Sequence, residues 1–343
     1  MALPMSFPMR IADGKTIEIP SIGFGTWADA DPTWCKDATL AALKAGYRHL
    51  DCAWKYGVDA PVGQAIKESG IPRSEIFVTS KFWPNFAHPE DIELCLDKIL
   101  EAMGLDYLDL YLAHWPVSMK PTSRKGLEKA ESGFDKSNED NGIATDADGH
   151  EILDLEYSCE DLAAQRSVKG SYVPNWKAMQ ELVRKGKTRA IGVSNFSIPE
   201  LDELLPHSKD IPISCNQIEV HPWLPNNQII EFMKQHDIVA TCYSPFGGPK
   251  EQGANMRDDP TVATVAKRNG LGVGGCLQSW AVQRGTIPLG KSQNEERIKS
   301  NFAVKKLSEE DMRALDSLEM PGTDGRTCGG KDGEVWGVKL YRN

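Results

Sequence analysis

Asp51, Tyr56, Lys81 and His114 each stand at or just past the end of an apolar run, and each can hold or move a proton. The runs read Tyr-Arg-His-Leu-Asp, Ile-Phe-Val-Thr-Ser-Lys and Leu-Asp-Leu-Tyr-Leu-Ala-His. β-Branched and aromatic residues fill them, as in buried parallel strands. Three such strands lying side by side bring their C-terminal ends to one place. A carboxylate, a phenol, an ammonium and an imidazole then share a pocket, a grouping suited to donating a proton to a carbonyl. Any one of the four alone reads more simply as half of a structural ion pair or a satisfied core residue. Their joint position at strand ends is what carries the chemistry.

The elements that must position them recur along the chain. Strand-like runs at 22–26, 47–51, 76–81, 108–114, 188–194, 213–219, 238–244 and 286–289 alternate with helix-like stretches such as 32–45, 89–103, 175–184 and 260–269. Several helices open on Pro, whose missing N–H is no loss in a first turn. Others run into Gly46, Gly70, Gly104, Gly186 or Gly270, as a left-handed cap favours. Eight βα units imply a parallel sheet, and the count favours closure into an α/β fold of the (β/α)8 TIM-barrel type. An open doubly wound sheet would carry Gly-x-Gly-x-x-Gly after its first strand. The chain instead reads Ile22-Gly23-Phe24-Gly25-Thr26-Trp27. Alternation over 9–19 about Asp13-Gly14 predicts a hairpin that caps one end of the barrel.

At 343 residues the chain could hold two domains, yet α/β barrels of this size are often one, so 1–343 is read as a single barrel. A net charge of -10 and a pI near 5.3 argue against nucleic acid or an anionic membrane as the main partner. No apolar stretch approaches the ~20 residues of a membrane span, and the first residues lack the apolar core of a secretion signal. A cytoplasmic protein is expected, and the Asn195-Phe196-Ser197 sequon then carries no meaning. The eight cysteines contain no Cys-x-x-Cys and read as small core hydrophobes, with no metal site expected. Residues 117–173 hold 12 acidic against 7 basic side chains and show little periodicity outside 153–165. This stretch leaves from the strand that ends on His114, so it is read as a loop insertion and a candidate lid over the active end, with a disordered surface excursion as the alternative.

Five stretches, GYRHLDCAWKY, FVTSKFWP, LYLAHWP, AIGVSNFS and GKSQNEERIKSN, resemble the aldo-keto reductase family in order and over roughly residues 9–320. The resemblance implies a (β/α)8 barrel that binds NADP(H) in preference to NAD(H) and reduces a small-molecule aldehyde or ketone to an alcohol. The reverse alcohol oxidation and a non-catalytic nucleotide-binding protein are the alternatives. A monomer or weak dimer is implied. Tyr56 matches the family's acid. A free phenol titrates near about 10, so a neighbouring cation, Lys81, would help by stabilising the phenolate. Asp51 would fix Lys81, because a buried ammonium without a partner is costly. His114 would align the carbonyl oxygen. A subgroup that reduces steroid double bonds carries an acid where His114 stands, so it is disfavoured.

The resemblance also assigns a cofactor site. Ser194, Asn195 and Gln217 match residues that hold the nicotinamide carboxamide, and Tyr243 matches the residue on which its ring stacks. Lys291, Ser292 and Arg297 match contacts to the adenosine 2′-phosphate, and Asn301 an adenine contact. Gly25, Thr26, Trp27, Asp51 and Ser244 complete the cofactor set. Trp27, Trp83, Trp115 and His114, with Trp54 and Phe86 as additions, would line the substrate pocket. Three departures stand out. Leu289-Gly290 intervenes between Pro288 and Lys291, which could shift the Lys291 loop. Lys55 replaces an apolar residue, either to attract an anion or to point at solvent, and Asp59 replaces a longer Glu or Gln. Selectivity is expected to reside in 117–173 and the tail 321–343.

Overall fold

The computed structural model describes residues 2–27, 32–134, 136–248, 255–329 and 333–342. It opens on an antiparallel hairpin, β1 (Ser6–Arg10) with β2 (Thr16–Pro20), in which Met9 faces Ile17. The chain reverses through Asp13 and Gly14 at φ 60° and 67°, a left-handed pair typical of tight hairpins. Eight parallel strands follow: β3 (Gly23–Gly25), β4 (His49–Asp51), β5 (Phe77–Phe82), β6 (Leu108–Ala113), β7 (Thr188–Ser194), β8 (Cys215–Glu219), β9 (Val239–Tyr243) and β10 (Ile287–Gly290). They close in sequence order, β10 pairing with β3, so the fold is the expected (β/α)8 barrel. The run at 188–194 is a strand over its full length, whereas 22–26 and 47–51 shorten to three residues each.

Around the barrel lie α1 (Trp34–Ala45), α2 (Asp59–Ser69), α3 (Ile92–Met103), α4 (Arg124–Lys129), α5 (Glu160–Ala164), α6 (Val173–Arg184), α7 (Ile198–Leu204), α8 (Asn227–Gln235), α9 (Pro260–Asn269), α10 (Val273–Gln283), α11 (Glu295–Phe302) and α12 (Glu309–Asp316). Their boundaries follow local chemistry. Asp259 accepts from the Thr261 and Val262 amides to open α9, and Gly270 at φ 61° closes it. Helix α3 buries Ile92, Cys95, Leu96, Ile99, Leu100 and Met103, the three-and-four spacing of a single apolar face.

The core has two parts. A large shell fills the space between sheet and helices. A smaller cluster joins Met9 and Ile19 of the hairpin to Phe77, Leu110, Ala190, Cys215 and Ile287. Phe77, Cys215 and Ile287 are the first residues of their strands, so the hairpin plugs the end where the strands begin. The site is left to the other end. Within 117–173, the described residues form α4, α5 and three short antiparallel bridges, Met119–Leu153, Pro121–Ile143 and Thr145–Glu151, over buried Leu127, Ile143 and Leu162. The last hairpin, β11 (Glu334–Val335) with β12 (Val338–Lys339), belongs to the tail.

Candidate active site

Strands β4 and β5 put Asp51 and Lys81 at neighbouring C-terminal positions inside the barrel. The Lys81 ammonium, fully buried, donates to Asp51 Oδ2 and to the Cys52 carbonyl, both at 2.8 Å. Gln217 Nε2, in the middle of β8, donates to the other carboxylate oxygen at 2.7 Å. A helical turn over Trp54–Tyr56 then carries the Tyr56 ring to within 5.0 Å of Lys81 Nζ. His114, one residue past β6, meets the Tyr56 ring edge-on at 5.7 Å. All four sequence-designated residues therefore converge, and three strand ends do the positioning.

Burial sets the protonation of this group. Desolvation, reinforced by the Asp51 carboxylate, holds the Tyr56 phenol well above the ordinary tyrosine range. The lowering expected from Lys81 does not prevail, because desolvation and the Asp51 charge both raise the phenol. Desolvation and then the Lys81 charge hold the His114 imidazole well below its ordinary value. Near neutrality the site thus contains a protonated phenol and a neutral imidazole whose Nδ1 has no partner among the described residues.

A cavity of about 1070 Å³ runs from these groups past Ser194, Asn195, Gln217 and Tyr243 to Lys291. That exceeds the ~300–1,000 Å³ of common ligand pockets and suits a long ligand. Asn195 and Ser244 sit at φ 64° and 51°, in the left-handed region that non-glycine residues adopt uncommonly. The Asn195 amide donates to the His114 carbonyl at 3.0 Å, and its oxygen accepts from the Tyr243 hydroxyl at 2.7 Å. Amides, hydroxyls and an aromatic face beside the proton donors, with a cation at the far end, fit a nicotinamide dinucleotide. Asn195, Gln217 and Tyr243 would hold its reactive end, Lys291 its phosphate end.

Other sequence-designated residues stand back from this cavity. The Thr26 hydroxyl donates to the Asp51 carbonyl at 2.8 Å and ties β3 to β4. Ser292 and Arg297 share a contact at 3.4 Å at the start of α11, where Arg297 is exposed. Asn301 packs into the space left by Gly274, and its carbonyl accepts from Gln278. Leu289 and Gly290 do not lengthen the Lys291 loop: they extend β10 by pairing with Gly23 and Phe24. Among the aromatics, Trp27, Trp83 and Trp115 line the cavity. Trp54 and Phe86 do not; they pack edge-on at 5.3 Å in the core beneath it.

Sequence reasoning missed the rim. Phe134, from the 117–173 stretch, lies nearly parallel to Tyr56 at 6.2 Å and edge-on to Trp27 at 6.2 Å. Apart from Met5, Phe134 and Trp27 are the only large hydrophobics exposed among the described residues, at 41% and 45%. Gly57 makes this approach possible, since a Cβ there would lie 2.9 Å from the Gly133 Cα. Lys55 neither faces solvent nor waits for an anion. It is buried, donates to Asn141 Oδ1 and sits 5.7 Å over the Trp83 ring. The tail contributes too: Glu219 at the end of β8 accepts from the Thr327 amide at 2.8 Å and the Arg326 guanidinium at 3.3 Å. No local pattern announces these contacts, which join parts of the chain tens of residues or more apart.

Fold and site together are those of an oxidoreductase built on a closed (β/α)8 barrel, with an elongated cofactor cleft at the strand ends. The chain belongs to the aldo/keto reductase family, whose model matches residues 21–320. It is 41% identical over 302 residues to an aldehyde reductase of Saccharomyces cerevisiae, covering 88% of this chain and 87% of that one. It is 39% identical over 302 residues to an NADP(+) glycerol 2-dehydrogenase of the same yeast, covering 88% of each. The solved aldose reductase of Schistosoma japonicum superposes with a TM-score of 0.74 at 31% identity, over 92% of this chain and 94% of that one.

Proposed function

We propose that this protein reduces an aldehyde or ketone carried on an apolar, planar group, with NADPH preferred over NADH. The observation that carries the reading is the convergence of Tyr56, His114 and the Lys81–Asp51 pair on the cavity lined by Asn195, Gln217 and Tyr243. The bound cofactor supplies a hydride to the carbonyl carbon. The chain's own groups handle the oxygen. A neutral His114 donates a hydrogen bond that aligns it, and Tyr56 passes its proton to it as negative charge develops. Lys81 stabilises the phenolate left behind, and Asp51 with Gln217 keeps the ammonium from moving towards it. Trp27, Trp83, Trp115 and Phe134 form apolar walls that exclude water and favour flat carbonyl substrates over aldoses.

NADPH preference is argued from Lys291 at one end of the cleft, with Ser292 next to it in sequence and the exposed Arg297 donating to Ser292, a grouping that suits a phosphate. The names of the yeast relatives, an aldehyde reductase and an NADP(+) dehydrogenase, support the same reading. The 117–173 stretch acts as a lid, because Phe134 and Asn141 reach the Tyr56 and Lys55 side of the mouth. The test is absorbance of the reduced cofactor with aromatic aldehydes, short aliphatic aldehydes and aldoses. Turnover of aromatic aldehydes with NADPH, weaker with NADH, is expected. Tight NADPH binding without turnover of any of them would overturn the proposal.

A further inference from the structure

The tail hairpin breaks a local rule. Strands β11 and β12 are joined by only Trp336 and Gly337, at φ 52° and 71°. A two-residue turn with both φ values positive favours Asn-Gly, Asp-Gly or Gly-Gly, and a bulky aromatic at its first position is strained. Something outside the hairpin holds it there. The Trp336 indole meets Trp115 edge-on at 5.2 Å and Trp83 edge-on at 6.0 Å. Those two rings are cavity walls, and each also touches the imidazole: Trp115 stacks on His114 at 6.2 Å and Trp83 meets it edge-on at 5.1 Å. Trp336 therefore packs against two cavity walls without lining the cavity itself.

The hairpin is clamped from the 117–173 stretch. Gln165, at the end of α5, acts like a strand edge: its Nε2 donates to the Lys339 carbonyl at 3.0 Å, and its Oε1 accepts from the Lys339 amide at 2.7 Å. Arg166 Nε donates to the Gly337 carbonyl at 2.9 Å, and its guanidinium occupies the space that a Cβ at 337 would need. Arg342 adds an ion pair to Asp161 of α5. The described contacts thus link a stretch after the fourth barrel strand, through the tail, to two walls of the pocket.

We propose that Trp336 is a positioning residue that sets selectivity for bulky planar carbonyls by fixing Trp83 and Trp115, and that Gln165 and Arg166 hold it in place. This rests on the reading of the pocket as an aromatic-carbonyl site. The test compares a naphthaldehyde with a three-carbon aldehyde in Trp336→Ala, Trp336→Phe and the surface double variant Gln165→Ala/Arg166→Ala. In Trp336→Ala the KM for naphthaldehyde is expected to rise at least tenfold, with kcat within threefold and the small aldehyde unaffected. Trp336→Phe should recover most of the affinity, and the double variant should move the same ratio in the same direction by three- to tenfold. Equal effects on both aldehydes, or no change in the naphthaldehyde KM, would overturn the inference. Should Trp336→Ala not fold, the double variant decides, and an unchanged ratio there sinks the proposal. Calorimetric binding of naphthaldehyde to the protein with NADP(+) separates this from the function itself. Trp336-dependent binding without turnover would leave the inference standing and remove the proposed reaction, and absent or Trp336-independent binding would remove the inference.

Discussion

Lys81 and Asp51 form a buried ion pair at 2.8 Å whose second carboxylate oxygen is taken by Gln217 rather than left open. Removing one partner strands the other in the barrel. Lys81→Met is expected to lower stability by about 3–5 kcal/mol in urea unfolding, the usual consequence of breaking a buried pair. Asp51→Asn/Lys81→Met should regain much of that, while carbonyl reduction stays at least about 100-fold down. A double variant with wild-type turnover would show that the pair is purely structural.

Tyr56→Phe removes only the proton to be donated. NADPH affinity, followed by quenching of protein fluorescence, should hold within about twofold, and kcat should fall by about 10²–10⁴. Retained reduction would assign the acid elsewhere.

The protonation states give the sign of the pH dependence. An acid acts while protonated, and the Tyr56 pKa is raised, so reduction is lost only as pH rises beyond the ordinary phenol value of about 10. The His114 pKa is lowered, so the imidazole charges only well below about 6.5. The kcat profile should therefore be flat from about pH 6.5 to about 9. A titration centred near 7 would contradict a neutral His114.

Lys291 lies at the far end of the cleft, its ammonium 4.5 Å from the Trp34 ring. Lys291→Met should weaken NADPH binding by about ten- to a hundredfold, the worth of a charged hydrogen bond of about 1.5–3 kcal/mol. NADH binding should change much less. Equal losses for both cofactors would take Lys291 away from the 2′-phosphate.

Asp59, at the start of α2, is buried with neither carboxylate oxygen bonded among the described residues, and desolvation raises its pKa well above 3.8. Its contribution to stability is fully present below the unfolded value near 3.8, declines above it, and is lost as pH rises through the folded value. Asp59→Asn cannot ionise, so its stability relative to wild type should improve from pH 4 towards pH 8 in urea titrations. A difference independent of pH would show that Asp59 is ionised or paired in the folded protein.

Much of this site is legible along the chain because each part rests on a short-range rule. Lys81 closes an unbroken β-forming run, and His114 follows another. Lys55 was legible only as a charge out of place, since its partner Asn141 lies 86 residues on. Trp54 and Phe86 carry the composition of a pocket wall, yet each fills the core with the other. Leu289 and Gly290 look like a lengthened loop, and strand pairing with Gly23 and Phe24 absorbs them.

The amino-acid sequence by itself determined the eight βα units, the order of the strands and the four groups at their ends, because periodicity, caps and turn residues act over a few positions. Only the tertiary structure decided which aromatics face the cavity, how Tyr56 and His114 are protonated, and that Phe134 reaches the mouth and Trp336 packs against its walls from distant segments. Those outcomes depend on burial and on contacts across the barrel rim. Neither is specified by neighbours in sequence, since the rim exists only once the sheet has closed.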